Sequence, residues 1–165
     1  MVQKGTRDDM NIQLLYWGLF SLMLGLALSL PLAAVHYQNS PRWTSLFTNP
    51  RKLKSAHLDF FTQAFAAAFV YVIEFAVQKA FPAHVVIPLL FGTVCNPLLL
   101  LLEATPLHRE GLGKPFYRLL KAVSPVSLLL AWLSIAWIVL PASMAVGWAA
   151  FVLLGLWLMG SYRKR

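Results

Sequence analysis

Acidic residues are scarce in this 165-residue chain, six against fourteen Lys and Arg, and charged residues of either sign make up only 12% of it. A soluble domain spreads charge over its surface, whereas here the charges gather in short segments between long uncharged runs. Cysteine is almost absent: Cys95 stands alone inside an apolar run, which excludes an intrachain disulfide and suits a buried, inert thiol. There is no Cys-x-x-Cys, no His pair at i, i+4, no phosphate-binding Gly loop and no G-x-S-x-G. Zinc ribbons, zincins, P-loop enzymes and nucleophile-elbow hydrolases are thereby excluded.

What is present is apolar. Such side chains make up 59% of the chain, and several runs meet or approach the roughly twenty residues that span a bilayer as a helix. The reading is an all-α integral membrane bundle of four or five transmembrane helices, one domain over residues 1–165, with spans near 12–35, 56–80, 85–104, 124–140 and 142–160. The net charge of +8 sits beside apolar segments rather than along one amphipathic face, so membrane lipids, and not nucleic acid, are the expected partners. In a bacterium the location would be the cell inner membrane.

The first apolar run follows Lys4 and Arg7, as in a signal peptide, but it is too long for one and Asp8 and Asp9 precede it, so it is read as a retained helix. Gly18 and Gly25 share a face on which a neighbour can come close. The polar connection from His36 to Ser55 is long enough to fold over the membrane surface as a lid. The short turn at Lys79–His84 makes the second and third spans an antiparallel hairpin, and Pro88 and Pro97 should bend the third. Pro115 to Arg118 reads as the start of an interfacial helix. Ser124 to Gly160 would be ~55 Å long as one helix, so a break at Pro141 is expected. Lys and Arg counts agree: five crossings with the N-terminus outside place eleven inside and three outside, whereas four crossings divide them eight to six.

Ionisable groups at membrane depth cost about 2.5–3.5 kcal/mol each on insertion scales, and they concentrate in the second and third spans. At about 100° per residue, Asp59, Gln63 and Glu74 form one stripe, expected to point inward. His57 shares another face with Phe61, Ala64 and Ala68, over which a planar group could lie. Asn96 and Glu103, seven apart, share a face of the third span, and the polar groups are expected to converge on one pocket. Each residue singly also has a structural reading, as a snorkelling interface residue or an interhelical hydrogen bonder.

The segment Ser55-Ala56-His57-Leu58-Asp59-Phe60-Phe61-Thr62-Gln63 resembles the start of the second helix in a family of small membrane isomerases that includes hydroxylaminobenzene mutase and styrene oxide isomerase. Gly92-Thr93-Val94-Cys95-Asn96 is similar to that family's Gly-x-x-x-Asn, and the likeness extends over about Ile12 to Leu140. The resemblance implies a haem b whose iron is held by His57, beside Phe61 and Ala64, and used as a Lewis acid on an epoxide or hydroxylamine oxygen. It implies Gln63, Asn96 and Asp59 as the groups that orient a small apolar substrate, and a homotrimer with haem at subunit boundaries. Three positions depart from the pattern: Gln63 stands where the family has Asn, Leu100 where the styrene oxide member has Tyr, and the apolar stretch after Pro141 exceeds a four-span plan. The competing classes are a haem-binding electron carrier, disfavoured by the lack of a second mid-span His, and a non-enzymatic membrane subunit or small transporter component with a structural polar cluster.

Overall fold

The computed structural model describes residues 10–38, 40–108 and 113–162. The N-terminal charges through Asp9, the Gly111 loop and the terminal Arg163, Lys164 and Arg165 lie outside the described residues. Six α-helices follow one another: α1 Gln13–His36, α2 Pro41–Leu46, α3 Pro50–Val77, α4 Ala83–Ala104, α5 Gly113–Val139 and α6 Ala142–Tyr162, with a 3₁₀ turn at Pro106–His108. No strand occurs among the described residues. All but α2 are long and apolar enough to cross a membrane, so the chain is an all-α bundle compatible with a multi-pass membrane protein.

The helix ends follow local chemistry. Asn49 caps α3 by accepting from the Lys52 N–H at 3.3 Å, and Pro50 occupies the first turn, where its missing N–H costs nothing. This capping signal lies ahead of the apolar run, which is why α3 starts before the expected Ala56. At the other end Gln78 takes the left-handed conformation at φ 52° and stops α3 at Val77. Both prolines of α4 are accommodated inside an unbroken helix. The expected interfacial helix is instead the first part of α5, because Pro115 falls in its opening turns and interrupts nothing. Pro141 does break the long apolar region, separating α5 from α6.

The expected lid is tied down. Phe47 is buried with Val35, Leu53 and Ala104, and the Asn49 N–H donates to the Ala104 carbonyl at 3.1 Å. The connection therefore fastens α1, α3 and α4 together at one end of the bundle.

Helices α1, α3, α4 and α5 pack in that order, each on the next. A Cβ on Gly18 would stand 3.0 Å from the Ala64 carbonyl oxygen, and one on Gly25 3.3 Å from Phe60 Cβ, so α1 lies almost backbone to backbone on α3. The Ser21 hydroxyl adds a 3.0 Å bond to the Phe60 carbonyl. Leu14, Val70, Val85, Leu89, Ala131 and Ile135 build the core across all four helices. The most apolar stretch of α6 buries none of its residues against the rest of the chain.

Gly92 is the close point between α4 and α5, where an added Cβ would lie 2.7 Å from Leu128 Cβ. Gly92→Ala should therefore destabilise the protein by about 1–3 kcal/mol. Gly147→Ala on α6, which meets nothing within 4 Å, should stay within about 0.5 kcal/mol of the parent. Thermal unfolding in detergent, read by a thiol-reactive dye on the buried Cys95, measures both.

Candidate functional site

Helix α3 carries polar groups on two edges, and the structure sends them to different neighbours. The edge facing α4 and α5 carries Asp59 and Gln63. Gln63 is buried and donates its amide to the Asp59 carboxylate at 3.2 Å, as the i, i+4 spacing allows. Across from them the Asn96 carbonyl oxygen accepts the Ser124 hydroxyl at 2.6 Å, leaving the Asn96 amide N–H donors without a partner among the described residues.

Between these groups runs a cleft of about 600 Å³ lined by Lys52, Asp59, Thr62, Asn96, Leu100 and Glu103, among others. One end is closed by an ion pair between Lys52 and Glu103, and the Tyr117 hydroxyl donates to the same carboxylate at 2.6 Å. Pairing and hydrogen bonding together make a carboxylate tenable there. The cleft thus presents amide donors from Asn96 and a carboxylate acceptor from Asp59 against a leucine wall. Those groups suit a small molecule with one polar substituent.

The opposite edge of α3 faces α1 and carries His57 and Phe61. The Nδ1 atom of His57 lies 2.8 Å from the Gly25 carbonyl oxygen, and the Phe61 ring stands edge-on to the imidazole at 4.9 Å between centroids. A carbonyl oxygen can only accept, so Nδ1 carries a proton in this contact, and in a neutral ring Nε2 is the nitrogen with a lone pair to offer. Nε2 has no hydrogen-bond partner among the described residues, and the side chain is half-buried. An imidazole anchored through Nδ1 to a backbone carbonyl can offer Nε2 to a metal when the ring is neutral, so the donor chemistry of His57 fits a haem iron.

The expected convergence is therefore realised in part. Asp59, Asn96 and Glu103 share the cleft and Gln63 joins through Asp59, but His57 lies across the helix from them. The expected planar surface over Ala64 is not open within the chain: Ala64 is 5% exposed and its carbonyl lies under Gly18 of α1. The small residues on that face serve close helix packing, which leaves Phe61 as the accessible neighbour of His57.

Glu74 is also separate. It is fully buried near the far end of α3 and accepts from the Asn11 N–H at 3.0 Å, the Asn11 side-chain amide at 2.5 Å and the Phe81 N–H at 2.7 Å. Asn11 also donates to the Phe81 carbonyl at 3.0 Å. This knot ties the start of α1 to the α3–α4 turn and removes Glu74 from the cleft. The helical-wheel stripe was correct in angle, but Glu74 lies ~17 Å along the axis from Gln63, too far to share a pocket.

Asn11, Ser124, Tyr117 and the Gly25 carbonyl were not foreseen as partners. Gly25 alone carried a signal, its place on the close-approach face of α1. Neither a family model, nor a curated protein, nor a solved structure matches the chain.

Glu74→Ala strands the donors of the knot, and a single stranded buried donor costs about 1–3 kcal/mol, so the loss of stability should reach or exceed that range. Glu74→Gln, which keeps an acceptor oxygen, should lose less. Cys95-dye melts of the two variants beside the parent give the order.

Proposed function

We propose that this protein is a membrane-embedded, haem b-dependent isomerase that rearranges an epoxide or hydroxylamine on a small apolar or aromatic substrate without net redox. The observation that carries the reading is the 2.8 Å contact of His57 Nδ1 with the Gly25 carbonyl, in which Nδ1 donates and Nε2 is the ring nitrogen left for a ligand. The chemistry supplied by a ferric haem b at this position is Lewis-acid polarisation of the substrate oxygen. His57 would hold the iron, and the Phe61 ring stands edge-on beside its imidazole. Gln63 keeps Asp59 in place by its hydrogen bond, and Asp59 and Asn96 orient the substrate by accepting from or donating to its polar group.

Because His57 and the amide cluster occupy opposite edges of α3, a site that uses both is completed by a second copy whose cleft faces the His57 edge of the first. Such a head-to-tail interface closes as a ring, in keeping with the trimer that the family resemblance implies. Leu100 lines the cleft in place of the tyrosine of the styrene oxide member, so the wall here adds apolar area and no hydroxyl, which favours a substrate held by shape.

A different observation favours a second reading, a non-enzymatic membrane subunit whose polar groups are structural: no buried side-chain N or O among the described residues lacks a hydrogen-bond partner. Visible spectra separate the two. The protein purified in detergent after expression with ample haem should show a Soret band that is lost or shifted in His57→Ala, in both oxidised and dithionite-reduced forms. A parent without a Soret band contradicts the haem reading. A band without turnover of an epoxide and hydroxylamine panel contradicts the isomerase.

A further inference from the structure

A second cavity, of about 380 Å³, lies between the C-terminal part of α1 and the start of α3, lined by Ser29, Leu32, Ala33, His36, Tyr37 and Lys54. It lies about one helical turn from the His57–Gly25 contact along both helices. On α1, Ser29 follows Gly25 by four residues, one helical turn, and His36 follows at the same face; on α3, Lys54 precedes His57 by three residues, again about one turn. The two helices run antiparallel, so both steps lead toward the same end of the bundle, where Arg51 and Lys52 also stand.

The side chains there are hydrogen-bond donors, with His36, Tyr37 and Lys54 exposed at its rim and Ser29 half-buried. Lys54 has no ion pair among the described residues, in contrast to Lys52, which is paired with Glu103. The Ser29 hydroxyl, the Tyr37 hydroxyl and the His36 ring make no side-chain hydrogen bond among the described residues, and no acidic side chain lines the cavity. Leu32 and Ala33 give it an apolar wall. An ammonium group, two hydroxyls and an imidazole around a small apolar-walled space fit one kind of guest, an apolar body that ends in a carboxylate.

We propose that this cavity receives the propionate end of the haem ligated by His57, with Lys54 as its counter-ion and Ser29, His36 and Tyr37 as hydrogen-bonding groups. The assignment rests on the haem reading above. It would give the cofactor one orientation, with its carboxylates toward the basic end of the bundle, where charge is least costly. Lys54 is a positioning residue, acting on the cofactor's edge and not on the iron.

The test is a spectrophotometric titration of detergent-solubilised apoprotein with ferric haem b and with its dimethyl ester, which keeps the ring and iron but removes both carboxylate charges. The ratio of the two affinities is compared between the parent, Lys54→Arg and Lys54→Gln, so that partition of each porphyrin into micelles cancels. Removal of a charged hydrogen-bond partner should reduce the parent's preference for the free acid by about tenfold in Lys54→Gln, and Lys54→Arg should retain it. The Soret position should be the same in all three, because His57 is untouched. If both porphyrins bind with a Soret shift but the ratio is unchanged in Lys54→Gln, the cavity assignment is overturned while ligation by His57 stands. If neither porphyrin binds the parent, the haem reading fails and the cavity assignment with it.

Discussion

Lipid tails are as apolar as leucine, so burial of apolar surface gives helices inside a membrane little reason to associate, and the contact between α1 and α3 is made by other means. Gly18 and Gly25 let the two backbones approach until a single methyl group would collide, and the Ser21 hydroxyl closes the gap with a bond to the Phe60 carbonyl. The Glu74–Asn11–Phe81 knot fixes the register at one end, and Phe47 with the Asn49–Ala104 bond fixes it at the other. Only with α1 held at this height does the Gly25 carbonyl meet His57. The orientation of the imidazole is thus a consequence of glycine packing two turns away.

The same closeness divides the chemistry. Because α1 covers Ala64, one edge of α3 retains the His57 imidazole, held to the Gly25 carbonyl beside Phe61. The other edge faces a roomy cleft in which a carboxylate, two amides and an ion pair share the polar load. In the proposed function this division suits a site formed between copies, where each contributes a different edge of α3. The most apolar stretch of α6 buries none of its residues within the chain and remains available to lipid or to neighbours.

Much of this was legible from the residues. Long apolar runs gave the spans, Pro141 the break between α5 and α6, and Gly18 and Gly25 the close-approach face, because each signal is local and has one dominant physical meaning. Asp59, Asn96 and Glu103 were read onto a shared pocket because helical spacing and the antiparallel hairpin constrain them. Glu74 was misplaced because a wheel records angle and discards height along the axis. His57 was separated correctly from the acidic stripe, but its partner is a backbone carbonyl, and every residue carries one, so no residue type marks it. Lys52 with Glu103 and Asn96 with Ser124 depend on distant helices meeting, which local pattern does not encode.

The central claim is that His57 donates from Nδ1 to the Gly25 carbonyl, which makes Nε2 the nitrogen turned to a ligand in the proposed function. The most direct measurement is nitrogen-15 NMR of the apoprotein in detergent, labelled at histidine and compared with His57→Ala to assign the signal. The account predicts that, at a pH where the ring is neutral, the His57 resonances lost in the variant comprise a protonated, pyrrole-type Nδ1 and an unprotonated, pyridine-type Nε2. A protonated Nε2 with an unprotonated Nδ1 would contradict it, because the Gly25 carbonyl would then have no donor and the iron-binding nitrogen would be blocked.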